Sequence, residues 1–184
     1  MVGGVAVREA PLEQTEHGLV CKGDGWFVVN SEEVRWRAWE GLGFGTNLGG
    51  DTLFDQLGIG ITVLGPGEPM SMYHWETDQE DFLVLAGEAL LIVEGEERPL
   101  RQWDFVHCPP EAKHVIVGAG EGPCVVLAVG ARDRSTGPDW GAYTVDEAAI
   151  RHGAGVEQET TKPDEAYTRF PPRRPARYRD GWIP

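Results

Sequence analysis

His74, Glu76 and Glu80 crowd the run "YHWETDQED", just before the apolar stretch "FLVLA". Side chains alternate along a strand, so His74 and Glu76 point to one side and Trp75 to the other. A three-residue bend, "TDQ", separates them from Glu80. If the chain doubles back there, a strand "EDFLVLA" places Glu80, Phe82, Val84 and Ala86 on one face. An imidazole and two carboxylates then open onto an apolar interior. Without a cation that is unfavourable. Neighbouring carboxylates raise each other's pKa, desolvation raises it further, and the uncompensated loss of water costs roughly several kcal/mol per ion. A divalent metal ion offsets both effects, because carboxylates balance its charge and imidazole supplies a nitrogen donor. On a surface bend the same groups would simply be solvated, so the metal reading needs a second cluster.

"WDFVHCPPEAKHVIVG" supplies one. Pro109 and Pro110 stop a strand and shape a turn, and His114 opens the next strand beside the core. Tyr73 is turned away from His74 by alternation and reads as a packed aromatic. His107 shares a face with Phe105, outside the barrel, while Cys108 on the other face reads as a buried inert thiol, with an inward place near the site as the alternative. His17 and His152 sit in polar surroundings and read as surface residues.

The elements that must hold these residues are short strands. "LVC" and "WFVVN" flank "KGDG", a hairpin signal. In "VRWRAW", Val34, Trp36 and Ala38 share a face opposite Arg35 and Arg37. "GLGFGTNLGG" lacks the lysine of a phosphate loop and reads as a flexible connection. "LGIGITVL" is a strand, and from Asp81 to Ala131 apolar runs alternate with "GE", "EGEERP", "PPEAK" and "GAGEGP". That rhythm indicates an all-β sandwich or closed barrel. Thr144, three residues before Glu147, has capping-box spacing for a short helix ending at Gly153, and "TKPDEAY" begins another. Residues 1–54 are read as N-terminal strands and a glycine-rich connection, 55–131 as the barrel core, and 132–184 as a C-terminal extension with short helices and a Pro/Arg-rich tail.

The chain has 184 residues, enough for one domain with extensions. Its 16 basic and 30 acidic side chains leave a net charge of -14, which argues against nucleic acid or an anionic membrane as a partner. Residues 169–184 run against this, with five arginines and one aspartate. Such a tail lies back on its own body or, in the sharper reading, recruits anions. The three cysteines, Cys21, Cys108 and Cys124, form no CxxC and fit reduced thiols in a cytoplasmic protein. No signal peptide is read in "MVGGVAVREA", and no apolar run approaches the ~20 residues of a membrane span.

Residues 58–130 resemble the cupin superfamily in two motifs. In the first, Gly67 precedes His74, Glu76, Glu80 and Gly87, with Glu76 where the family has a second histidine. In the second, Trp103, Pro109, Glu111, His114 and Gly118 fall on the places of Gly, Pro, Gly, His and Asn. The resemblance implies a double-stranded β-helix (jelly-roll) barrel with its site inside one end. His74, Glu76, Glu80 and His114 would converge on one divalent ion and leave positions for water or a small-molecule ligand. Such a ligand set favours iron, manganese or zinc, and nickel or cobalt also fit. A homodimer is implied as well. Three roles follow for such a barrel. It could be a metal-dependent enzyme on a small molecule, of isomerase, dioxygenase or sugar-modifying type. It could be a non-catalytic sensor, or a metal-free barrel kept for assembly. The fold itself does not choose the reaction.

Overall fold

Short apolar runs that return on themselves through tight turns pair as antiparallel neighbours, and the strands here do so. The computed structural model describes residues 6–52, 54–132 and 139–183. The first five residues of the N-terminal run discussed above, and part of the extension expected after 131, lie outside the described residues. In chain order the strands are β1 (Leu12–Thr15), β2 (Gly18–Cys21), β3 (Trp36–Trp39), β4 (Gly43–Asn47) and β5 (Leu57–Leu64). Next come β6 (His74–Glu76), β7 (Glu80–Ala86), β8 (Glu88–Val93), β9 (Glu96–Arg101) and β10 (Phe105–Cys108). The last are β11 (His114–Ala119), β12 (Cys124–Ala131), β13 (Gly141–Tyr143) and β14 (Arg174–Ala176), with short helices α1 (Glu147–Arg151) and α2 (Pro163–Ala166) between the final two. β1 and β2 form a hairpin of their own, and the other strands build two sheets. One runs β10-β7-β12-β5-β4-β3-β14 and the other β13-β6-β11-β8-β9. This is the expected all-β jelly-roll barrel with a minor helical extension.

The barrel interior is apolar. Leu64, Phe82, Val84 and Val126 from the longer sheet meet Leu91 and Ile116 from the shorter one. A second cluster lies outside the shorter sheet, where α1 covers Ile92, Val115 and Val117 with Ala148 and Ala149. A third lies outside the longer sheet, where Trp36, Ile61, Val63 and Val125 are covered by Tyr178, Trp182 and Ile183 of the tail. The tail thus lies back on its own chain: Arg174 pairs with Ala38 and Ala176 with Trp36 in register.

Several local expectations shift. The glycine-rich stretch is not a connection but carries β4, paired on both sides by β3 and β5. Gly43 has φ 76, and a Cβ there would lie 2.3 Å from the Val63 carbonyl oxygen, so only glycine lets β4 approach. "EGEERP" likewise contributes β9, an edge strand whose charges stay in water. The N-terminal hairpin closes at Glu16–His17 instead of "KGDG", because the Thr15 hydroxyl donates to Gly18 O and accepts from His17 N. Asp146, not Thr144, caps α1, accepting from Ala149 N at 2.8 Å. In β7 the register slips by one residue between Val84 and Ala86, so Ala86 packs on the outer cluster. Trp103 and Glu111, the two residues on motif glycine places, have φ 73 and 71. The backbone therefore keeps the left-handed turns that glycine adopts without strain.

Candidate metal centre

Three strand beginnings meet at one end of the barrel. His74 opens β6, Glu80 opens β7 and His114 opens β11. His74 and His114 are direct cross-strand partners, with ring centroids 5.0 Å apart. The turn through the two prolines is tied back to β6 by the Glu111 N–H, which donates to Glu76 O at 2.8 Å. Glu80 Oε2 lies 3.2 Å from His114 Nε2 and 3.4 Å from His74 Nε2.

The imidazoles are oriented by the backbone. His74 Nδ1 sits 2.7 Å from Met72 O, and His114 Nδ1 sits 3.0 Å from Ala112 O. A carbonyl only accepts, so each Nδ1 carries hydrogen and each Nε2 is turned to the interior, available for coordination. His114 Nε2 and Glu80 Oε2 are buried without a hydrogen-bond partner, since their short contact is ionic but poorly aligned. Orphaned polar atoms are costly in an apolar setting. A cation between them would satisfy both.

Electrostatics show the same tension. Burial alone would drive the His74 imidazole down, but Glu76 and Glu80 outweigh it and hold its pKa up. Burial likewise opposes the charge on His114, yet contact with Cys108 and Glu80 holds its pKa up. Burial would raise Glu80, whereas His114 and His74 keep it well below the ordinary carboxylate range. With no metal, two imidazolium groups and one carboxylate neutralise each other in part; a metal ion would take the place of those protons.

Of the four residues read from the sequence, His74, Glu80 and His114 have donor atoms all within 4.8 Å of one another. Glu76 approaches from the rim, with Oε1 3.7 Å from His74 Nε2. Tyr73 is buried and turned away, its hydroxyl accepting from Gly95 N. His107 is outside, against Asp81 at 2.6 Å. Cys108 is buried, pairs in register with Glu80 and touches His114, closer to the centre than an inert core thiol. Cys21 and Cys124 are buried too, and burial pushes the Cys124 thiol up to about 11.

Beside Glu80 the wall has few side chains. Glu80, Gly130 and Gly58 are aligned across three neighbouring strands. One row along, Ala128, Gly60 and Asn47 are aligned in the same way. They leave an open cleft of about 400 Å³ reaching both glutamates. The glycines of β5 and β12 are what make it roomy. Alternation, with the apolar residues that share a face with Glu80, put that face inward and His107 outward, as the structure has them.

Residues 60–130 match the family model "Cupin domain". The chain carries a cupin domain. Among solved structures, the cupin barrel is similar to a candidate sugar phosphate isomerase from Acidithiobacillus ferrooxidans (30% identity, 48% of this chain and 58% of that chain, TM-score 0.45). It is also similar to a sugar phosphate isomerase from Silicibacter pomeroyi (27% identity, 48% and 59%, TM-score 0.44). A third is the DMSP lyase DddQ from Ruegeria pomeroyi (26% identity, 50% and 48%, TM-score 0.43). The cupin chain thus spans only about half to three-fifths of their lengths. No curated protein matches it. No helix among the described residues is long and apolar enough to cross a membrane.

Proposed function

We propose that this cupin holds one divalent metal ion through His74, Glu80 and His114, with Glu76 as a fourth ligand from the rim, and acts as a metal-dependent enzyme on a small molecule. The observation that carries the reading is the pair of buried, unpartnered atoms, Glu80 Oε2 and His114 Nε2, facing the same space as His74 Nε2. Mixed nitrogen and oxygen donors suit iron, manganese or zinc. A bound ion of this kind polarises a carbonyl or lowers the pKa of a coordinated water. The protein's own part is to orient the imidazoles through Met72 O and Ala112 O and to admit a ligand through the cleft beside Glu80. A cytoplasmic homodimer belongs to the same reading.

Elemental analysis of the full chain, purified without affinity tag or chelator, tests it. We expect close to one equivalent of metal, lost in Glu80→Gln and reduced in Glu76→Ala. Full occupancy in Glu80→Gln would remove the proposed centre, and full occupancy in Glu76→Ala would remove only the fourth ligand.

A further inference from the structure

At Asn47 the cleft beside Glu80 meets a second hollow of about 220 Å³. Its wall is the inner face of β3 and β4. On β4 that face is Gly43, Gly45 and Asn47, so there is little side chain to fill the space. On β3 it is Arg37 and Trp39. The tail adds Arg173, just before β14, whose guanidinium lies 4.0 Å from the centre of the Trp39 ring.

Arg37 and Arg173 therefore line one small hollow together. Among the described residues neither has a carboxylate within ion-pair distance or a hydrogen bond to its guanidinium. Both side chains are exposed to solvent at the mouth of the hollow, and Arg173 is held over it by the Trp39 ring, so the two positive charges stand open to an incoming anion. Partial desolvation, with repulsion from Arg37 behind it, outweighs the opposing pull of Tyr167 and Tyr143 and lowers the pKa of Arg173, in keeping with two like charges that share one hollow. The guanidinium fork is suited to planar or tetrahedral oxyanions.

We infer that Arg37 and Arg173 form an anion subsite, and that the small molecule of this cupin carries a phosphate or carboxylate group which docks there while its other end reaches the cleft beside Glu80. That the anion belongs to a substrate rests on the function proposed above; the anion subsite itself does not.

The test uses the full chain with EDTA present, so that no metal can receive the anion. Thermal melting is followed with inorganic phosphate, and in parallel with acetate, against sodium chloride of equal ionic strength. A rise in Tm beyond the chloride control is expected with one or both anions. Arg37→Gln and Arg173→Gln should each weaken apparent affinity by about tenfold or more, the scale of one charged hydrogen bond. Arg174→Gln, one residue along the tail and paired with Ala38 on the other face, should leave it unchanged. A response undiminished in both arginine variants, or no response in the parent chain, overturns the subsite. A response lost only in Arg132→Gln, at the edge of the cleft, overturns it too by moving the anion there. If the subsite behaves as expected while metal analysis finds no bound ion, the metal reading fails and the subsite stands.

Discussion

The two faces of the longer sheet are built from the same strands and do opposite things. On its outer face Trp36, Ile61, Val63 and Val125 pack under Tyr178, Trp182 and Ile183. The inner face, toward the cleft, presents Gly45, Gly58, Gly60, Gly130, Arg37 and Glu80. Alternation with period two lets one stretch of chain serve both. The outer face is apolar along this stretch, whereas the inner face divides: Leu64, Phe82, Val84 and Val126 build the barrel core, and the positions nearer the cleft supply vacancy and charge. Outer-face positions therefore bear on stability alone, and inner-face positions bear on ligand chemistry only near the cleft.

The largest break in that comparison is Trp36→Ala. Trp36 is 0% exposed, and its loss should cost about 3–5 kcal/mol in urea unfolding. Metal content per folded molecule should not change, because no atom of the centre lies on that face. A loss of metal at constant fold would show that the faces are coupled.

A change of pH should reach the metal centre through the inner face. The raised pKa values of His74 and His114, about 10 and about 9, contribute stability to the metal-free protein below the ordinary histidine value. That contribution is lost as pH rises through the raised values. The lowered pKa of Glu80 contributes above the ordinary carboxylate range and is lost as pH falls toward its folded value. Metal must displace the imidazole protons, so affinity should climb with pH until the raised values of about 9 and about 10 are passed, with proton release on binding below them. Calorimetry in buffers of different ionisation enthalpy checks this; binding without proton release would exclude the imidazoles as ligands.

Gly45→Leu should have the smallest effect on stability. A Cβ at Gly45 would meet Ile61 O at 3.5 Å and Thr62 Oγ1 at 3.6 Å, ordinary contact without strain. Unfolding free energy should move by about 1 kcal/mol or less. The longer side chain fills the hollow beside Arg37, so the melting response to phosphate should vanish. An intact response would place the anion elsewhere.

Much of this was legible in the residues. "FLVLA", "HVIVG" and "LGIGITVL" announce strands by their apolar runs and Gly/Pro boundaries, and β5, β7 and β11 form there. His74, Glu80 and His114 stand out because ionisable groups at strand mouths need compensation. β4 and β9 were not legible. Glycine and charge both read as loop signals, yet pairing on two sides holds β4 and solvated charges suit the edge strand β9. Cys108 was legible as a buried thiol, but its pairing with Glu80, 28 positions away in the chain, was not.

By itself the sequence determined the alternation, the turns and the ligand types, since these depend on neighbours a few residues apart. Which strands pair, and so the close approach of His74 to His114, was decided only by the tertiary structure. So was the placing of Arg173 from the tail beside Arg37, 136 residues earlier. Both follow from long-range strand pairing, and no local rule in the chain encodes the register between β3 and β14.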